Sequence, residues 1–156
     1  MTNDYDEIVR REIVTTRVLD APRDMVFEAW TDPEQLKVWW GPQGFTNTFH
    51  EFEIEPGGLW RYTMHGPDGT DYKNEVQFVE IAAPHRIVLD HVSAPRFRLT
   101  ALFETLGKGT KITFRQLFET AQVYDGVKRF AVQGNEDNFD RLASFVAKKV
   151  RPADGK

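Results

Sequence analysis

Between residues 45 and 118 the chain carries one strand signal after another, cut by short turn segments, and a single long helical pattern follows. Few architectures accept that order. The turn chemistry is EPGG at 55–58, GPDG at 66–69, APH at 83–85, SAP at 93–95 and LGKG at 106–109. It divides the segment into six strands of an antiparallel meander. The last hairpin sets its own register. With Gly107-Lys108 as a two-residue turn, Phe103 faces Ile112, Ala101 faces Phe114, Leu99 faces Gln116 and Phe97 faces Phe118. Glu104 and Lys111 then pair on the opposite, polar face. Trp60, Tyr62 and Met64 share one strand face; Ile87, Leu89 and His91 share another, opposite Val88, Asp90 and Val92. At 49–54, Glu51 and Glu53 alternate with His50, Phe52 and Ile54. Alternation alone does not fix the register around GPDG.

Ahead of the meander, residues 8–19 are rich in β-branched types and read as a strand. The period then changes. Pro22 suits a first helical turn, and Val26, Phe27 and Trp30 fall on one helical face. A second short helix starts at once, with Asp32 as cap, Pro33 at the first position and Gln35 at capping-box spacing. Leu36, Trp39 and Trp40 form one stripe, and Gly41-Pro42 ends the helix. The paired tryptophans read as an anchor for a helix too short to hold itself in water, with Trp40 assigned to a wall of any cavity beside it. The closing helix is expected over about 125–149, with Val127, Phe130, Ala131, Gly134, Phe139, Leu142, Phe145 and Val146 at helical spacing. Gly134 breaks the pattern, marking either a close approach to the sheet or a bend.

Composition excludes several classes. A net charge of −4 gives no general pull toward nucleic acid or anionic membrane. The absence of cysteine removes disulfides, thiolate chemistry and zinc–thiolate sites. No apolar run approaches the ~20 residues that span a bilayer, and the N-terminus lacks the apolar core of a signal peptide. The expectation is a cytoplasmic protein of one domain over residues 1–156, with its core at 8–149 and a loose tail at 150–156. Aromatic content is high, 13% with twelve Phe, and that surplus needs a location.

The combination RVLDAPRDMVFEAWTDPEQLKVWWGPQGF, EIEPGGLWRYTMHGPDGT and NEDNFDRLASFVAK supplies one. It resembles START-like (SRPBCC) domains of the family of activators of the Hsp90 ATPase, over about residues 8–149. Phe139 stands where that family more usually has tryptophan, and Glu55 where it often has a basic residue before Pro-Gly-Gly. The resemblance implies an α+β helix-grip (START/Bet v 1-like) fold. In it a curved antiparallel sheet of about seven strands wraps a long C-terminal helix, two short helices follow the first strand, and a cavity lies between sheet and helix. Members with a second, N-terminal domain use it to bind Hsp90, and no such domain is expected within these 156 residues.

On that frame the candidate ligand-binding residues are Trp40, Trp60, Tyr62, Met64, Phe78, Leu89, His91, Phe97, Leu99, Phe103, Phe114, Gln116, Phe118 and Phe139. Large apolar residues at strand spacing fill a core by default. An apolar pocket with a few polar groups, here His91, Tyr62 and Gln116, is the usual form of a small-molecule site. The first expectation is therefore an apolar or aromatic small molecule as ligand, with no cofactor, no metal and no nucleic acid. A chaperone-linked interaction domain of the stress response is a second reading. A cyclase- or hydrolase-like enzyme using His91 as acid/base, alone or with Tyr62, is the third. The case for it is thin. Ser93 and Ser144 lie in no nucleophile elbow, His50, His65, His85 and His91 have no metal-ligand spacing, and GKGT at 107–110 fits a hairpin better than a phosphate loop. Arg61, Arg98 and Arg115 belong to a mixed, solvated outer face of the sheet.

Overall fold

The β-branched first segment forms β1 (Glu12–Leu19), and the change of period produces α1 (Arg23–Thr31) and α2 (Pro33–Trp39). The meander follows as β2 (Thr46–Phe52), β3 (Leu59–His65), β4 (Asp71–Ala82), β5 (Arg86–His91), β6 (Phe97–Leu106) and β7 (Gly109–Phe118), and the chain closes with α3 (Ala121–Val150). The computed structural model describes residues 10–150. The expected strand start at residue 8 and the expected tail, apart from Val150 at the end of α3, lie outside the described residues.

All seven strands join one antiparallel sheet in the order β1-β7-β6-β5-β4-β3-β2. With α3 against it, this is the α+β helix-grip fold. The β6–β7 register is the one read from the sequence, pair for pair from Phe97–Phe118 to Glu104–Lys111. Gly107 has φ +62 while no described non-glycine residue has positive φ, the pattern of a II′ hairpin turn. The GPDG hairpin, left open by the sequence, pairs His65 with Asp71, Tyr62 with Asn74 and Trp60 with Val76.

Two expectations change. A β-bulge in β2 places His50 as the extra residue between the Phe49–Tyr62 and Glu51–Arg61 pairs. The strict alternation is lost: Phe49 and Phe52 both pack against the core, and His50 Nε2 instead meets Thr63 Oγ1 at 2.8 Å. The long helix also begins earlier, at Ala121, because Thr120 Oγ1 accepts the Val123 N–H at 3.0 Å and caps it.

At one end of the molecule the core is filled. Asp32 caps α2 by accepting the Glu34 N–H at 3.0 Å, and Leu36 and Trp39 are fully buried. Trp39 Nε1 donates to the Ala29 carbonyl at 3.0 Å, tying α2 to α1. Trp30 stands edge-on to Trp39, Trp40, Trp60 and Phe114 at centroid distances of 5.3–6.2 Å. Each such ring taken out of water stabilises the fold by about 2–3 kcal/mol, with a further ~1 kcal/mol from aromatic geometry. On the outer face, Arg98 forks onto Asp90, Arg86 onto Glu80 and Arg115 onto Glu12, so the arginines there are cross-strand ion-pair partners.

The long helix has two unlike halves. Its buried residues are Asn135, Asn138, Phe139, Leu142 and Val146, and none falls in 121–134. The expected apolar positions Val127, Phe130 and Ala131 are not buried, and Phe130 is 78% exposed. A methyl group at Gly134 would meet nothing within 4 Å. Gly134 is therefore no point of close approach; the first half of α3 stands away from the sheet.

Candidate functional site

Beneath that standing half of α3 lies a cavity of about 390 Å³. Its floor is the concave sheet face, built by period-two alternation: Trp60, Tyr62 and Met64 from β3, Asn74 and Val76 from β4, Leu89 and His91 from β5, Phe97 and Leu99 from β6, and Phe114, Gln116 and Phe118 from β7. Val127, Phe130, Ala131, Gly134, Asn135 and Asn138 of α3 form the roof, spaced along one helical stripe. Trp40, Gly41, Pro42 and Pro95 complete the rim.

The structure brings most of the candidate residues to this one place. Phe78, Phe103 and Phe139 are the exceptions. Phe78 packs between Trp60 and Phe52, Phe103 meets the edge of Phe27 at 5.0 Å, and Phe139 fills the space against Phe114 at 4.6 Å. All three sit in the filled end of the core. The sequence candidates did not include the roof or, Trp40 apart, the rim, although Asn135 and Asn138 gave a signal: two carboxamides on the buried stripe of an otherwise apolar helix face.

The paired tryptophans divide their work. Trp39 is the anchor. Trp40, at the helix C-cap, turns its indole toward the cavity, and its Nε1 donates to the Tyr62 hydroxyl at 3.2 Å. The turn that follows is fixed from several sides. Asn138 Oδ1 accepts the Gly41 N–H at 2.7 Å, Asn47 Nδ2 donates to the Trp40 carbonyl at 2.8 Å, and Arg141 donates to the carbonyls of Val38, Trp40, Gly41 and Pro42 at 2.8–3.0 Å. Gly41 has φ +103 there, a conformation that favours glycine.

No Asp, Glu, Lys or Arg lines the cavity. Burial pushes the Tyr62 phenol upward, so the ring stays neutral. His91 stacks on Phe97 with centroids 4.7 Å apart. Its Nδ1 lies 2.8 Å from the Pro95 carbonyl and its Nε2 2.8 Å from Asn74 Oδ1, which is turned toward the ring because Asn74 Nδ2 donates to the Tyr72 carbonyl at 3.0 Å. A neutral imidazole serves one of these acceptors and the cation serves both. Burial opposes the cation more strongly and holds the His91 pKa below its ordinary value, with the Pro95 carbonyl pulling the other way. Both ring nitrogens thus face protein acceptors, and the neutral ring donates to one of them at a time. Among the described residues no group of three or more His, Asp and Glu could hold a metal ion, and no helix is long and apolar enough to cross a membrane.

Comparison with known proteins agrees with this architecture. The profile of the family described as activator of Hsp90 ATPase homolog 1-like protein matches residues 20–147. Among solved structures, a protein of Arthrobacter aurescens is 26% identical with a TM-score of 0.83, over 94% of this chain and 90% of that one. A protein of Nitrosomonas europaea is 18% identical with a TM-score of 0.82, over 90% of this chain and 97% of that one. The AHSA1 protein of Silicibacter pomeroyi is 16% identical with a TM-score of 0.74, over 88% and 99%. These likenesses are of fold. No functionally curated protein shows significant similarity to the chain.

Proposed function

This chain belongs to the activator of Hsp90 ATPase homolog 1-like family, and within it we propose that the protein binds an uncharged, largely aromatic small molecule between sheet and C-terminal helix. One observation carries the reading: a cavity of about 390 Å³, floored by aromatic rings and free of charged side chains, under a helix in which none of residues 121–134 is buried. Drug-sized ligands occupy cavities of roughly 300–1,000 Å³ lined mainly by apolar groups with a few placed polar atoms. A carboxylate or ammonium entering this site would lose its hydration and meet no counter-charge, which costs several kcal/mol. The ligand is therefore uncharged.

Native mass spectrometry of the freshly purified protein, followed by thermal-shift titration with phenanthrene and 9-phenanthrenecarboxylate, tests this. A retained small molecule, or a Tm that rises with phenanthrene and not with the carboxylate, supports the proposal. Gly134→Leu supplies the control, since its side chain grows into open space and fills the cavity from the roof. Binding that survives Gly134→Leu unchanged, or no response of the unaltered protein to either compound, would move function to the surface, as a chaperone-linked domain requires.

A further inference from the structure

Two carboxamides meet at one side of the cavity, and each is only half used. Asn135 Nδ2 donates to Gln116 Oε1 at 3.0 Å and to Thr15 Oγ1 at 3.3 Å. Both residues are 8% exposed. Among the described residues neither Gln116 Nε2 nor Asn135 Oδ1 meets a protein partner, and neither is sealed off among the buried unpartnered atoms. The pair presents one donor and one acceptor in a lining whose other polar side chains, Tyr62, Asn74, His91 and Asn138, are bonded to the protein. Both atoms stay accessible in the free site, and a ligand that covers them without offering a partner leaves each unsatisfied at a cost of about 1–3 kcal/mol. An all-apolar pair of the same size would impose no such cost.

We infer that Gln116 and Asn135 determine ligand specificity by reading an uncharged group that both accepts and donates a hydrogen bond, an amide or lactam carried on an aromatic body. Gln116 Nε2 donates to the ligand carbonyl, and Asn135 Oδ1 accepts the ligand N–H. The bond between the two side chains holds both amides in one orientation, and Thr15 on β1 steadies Asn135 from behind. The inference rests on the cavity reading above and goes further, since an apolar cavity alone would not prefer a lactam over a hydrocarbon.

The test uses three tricyclic probes of similar size: 6(5H)-phenanthridinone, its N-methyl derivative and phenanthrene. Equilibrium dialysis gives Kd for each with the unaltered protein and with Gln116→Met and Asn135→Ala, each checked for folding by its thermal transition. The expected result is phenanthridinone binding about ten-fold tighter than its N-methyl derivative. Gln116→Met should weaken phenanthridinone relative to phenanthrene by a similar factor, so the ratio of their two Kd values is the readout. Asn135→Ala, which shares no backbone element with Gln116, gives the same answer if either variant fails to fold. Phenanthrene and phenanthridinone responding alike in both variants overturns the lactam inference and leaves the cavity standing. No binding of any probe by the unaltered protein overturns both.

Discussion

Asn138, on the long helix, accepts the Gly41 N–H on its Oδ1 at 2.7 Å, which ties the turn after α2 to the helix that roofs the cavity. Arg141, three residues on, completes the attachment with its guanidinium against four carbonyls of residues 38–42. The Val38 and Trp40 carbonyls belong to the unsatisfied end of α2 and those of Gly41 and Pro42 to the turn beyond it, and a planar fork reaches several at once where an ammonium reaches fewer. Arg141→Ala should destabilise the protein by about 2–3 kcal/mol, and Arg141→Lys by roughly half as much. Urea unfolding monitored by tryptophan fluorescence would show the order. Equal loss in both variants would mean that the fork geometry contributes nothing.

Gly41 and Gly134 both line the cavity, and their alanine variants should move stability in opposite directions. Gly41 has φ +103, and an added methyl would lie 2.9 Å from the Met64 terminal carbon. Gly41→Ala is expected to cost more than ~1 kcal/mol. Gly134 sits in helix with open space around it, so Gly134→Ala should add up to about 1 kcal/mol from helix propensity. Thermal melts of the two variants decide it, and a destabilised Gly134→Ala would show that the roof of the cavity is closed in solution.

His91 gives a pH dependence whose sign follows from its burial. Desolvation holds its pKa in the folded protein below the ordinary 6.5 that it regains on unfolding. The unfolded chain therefore binds the extra proton first, so this contribution to stability is fully present above about pH 6.5 and declines as pH falls toward the lower folded value. The groups bonded to or stacked on the ring are the Pro95 and Ser93 backbone, Asn74 and Phe97, none of them charged. The urea midpoint should fall between pH 7.5 and pH 5, and the fall should be smaller in His91→Gln. A steeper fall in the variant would reverse the assignment and make the doubly bonded imidazolium the native form.

The fold was legible because its signals are local. Gly107 fixes a turn, the turn fixes the β6–β7 register, and alternation then decides which residues face inward. What stayed hidden depends on distance in space. The bulge at His50 has no composition of its own, so β2 read as regular. Phe114 and Phe139 share an apolar pattern and touch in the structure, yet one borders the cavity and the other fills the core, because the difference is set by where α3 leaves the sheet. Helical periodicity reports that Val127 and Phe130 face the sheet and is silent on how far away it lies.

Phe130 shows what that distance does. Its ring is 78% exposed on a helix whose next inward turn is Gly134, and it lies at the cavity's edge. An exposed phenylalanine contributes little to folding, so Phe130→Ala should change stability by no more than about 0.5 kcal/mol. It borders the way in and out, so a bound probe such as phenanthrene should leave faster from the variant. Because the same ring slows entry and exit alike, the equilibrium Kd should move less than the dissociation rate. Stopped-flow fluorescence on Phe130→Ala measures both. An unchanged dissociation rate would place the route of exchange elsewhere on the rim, and Pro95 would be the next position to alter.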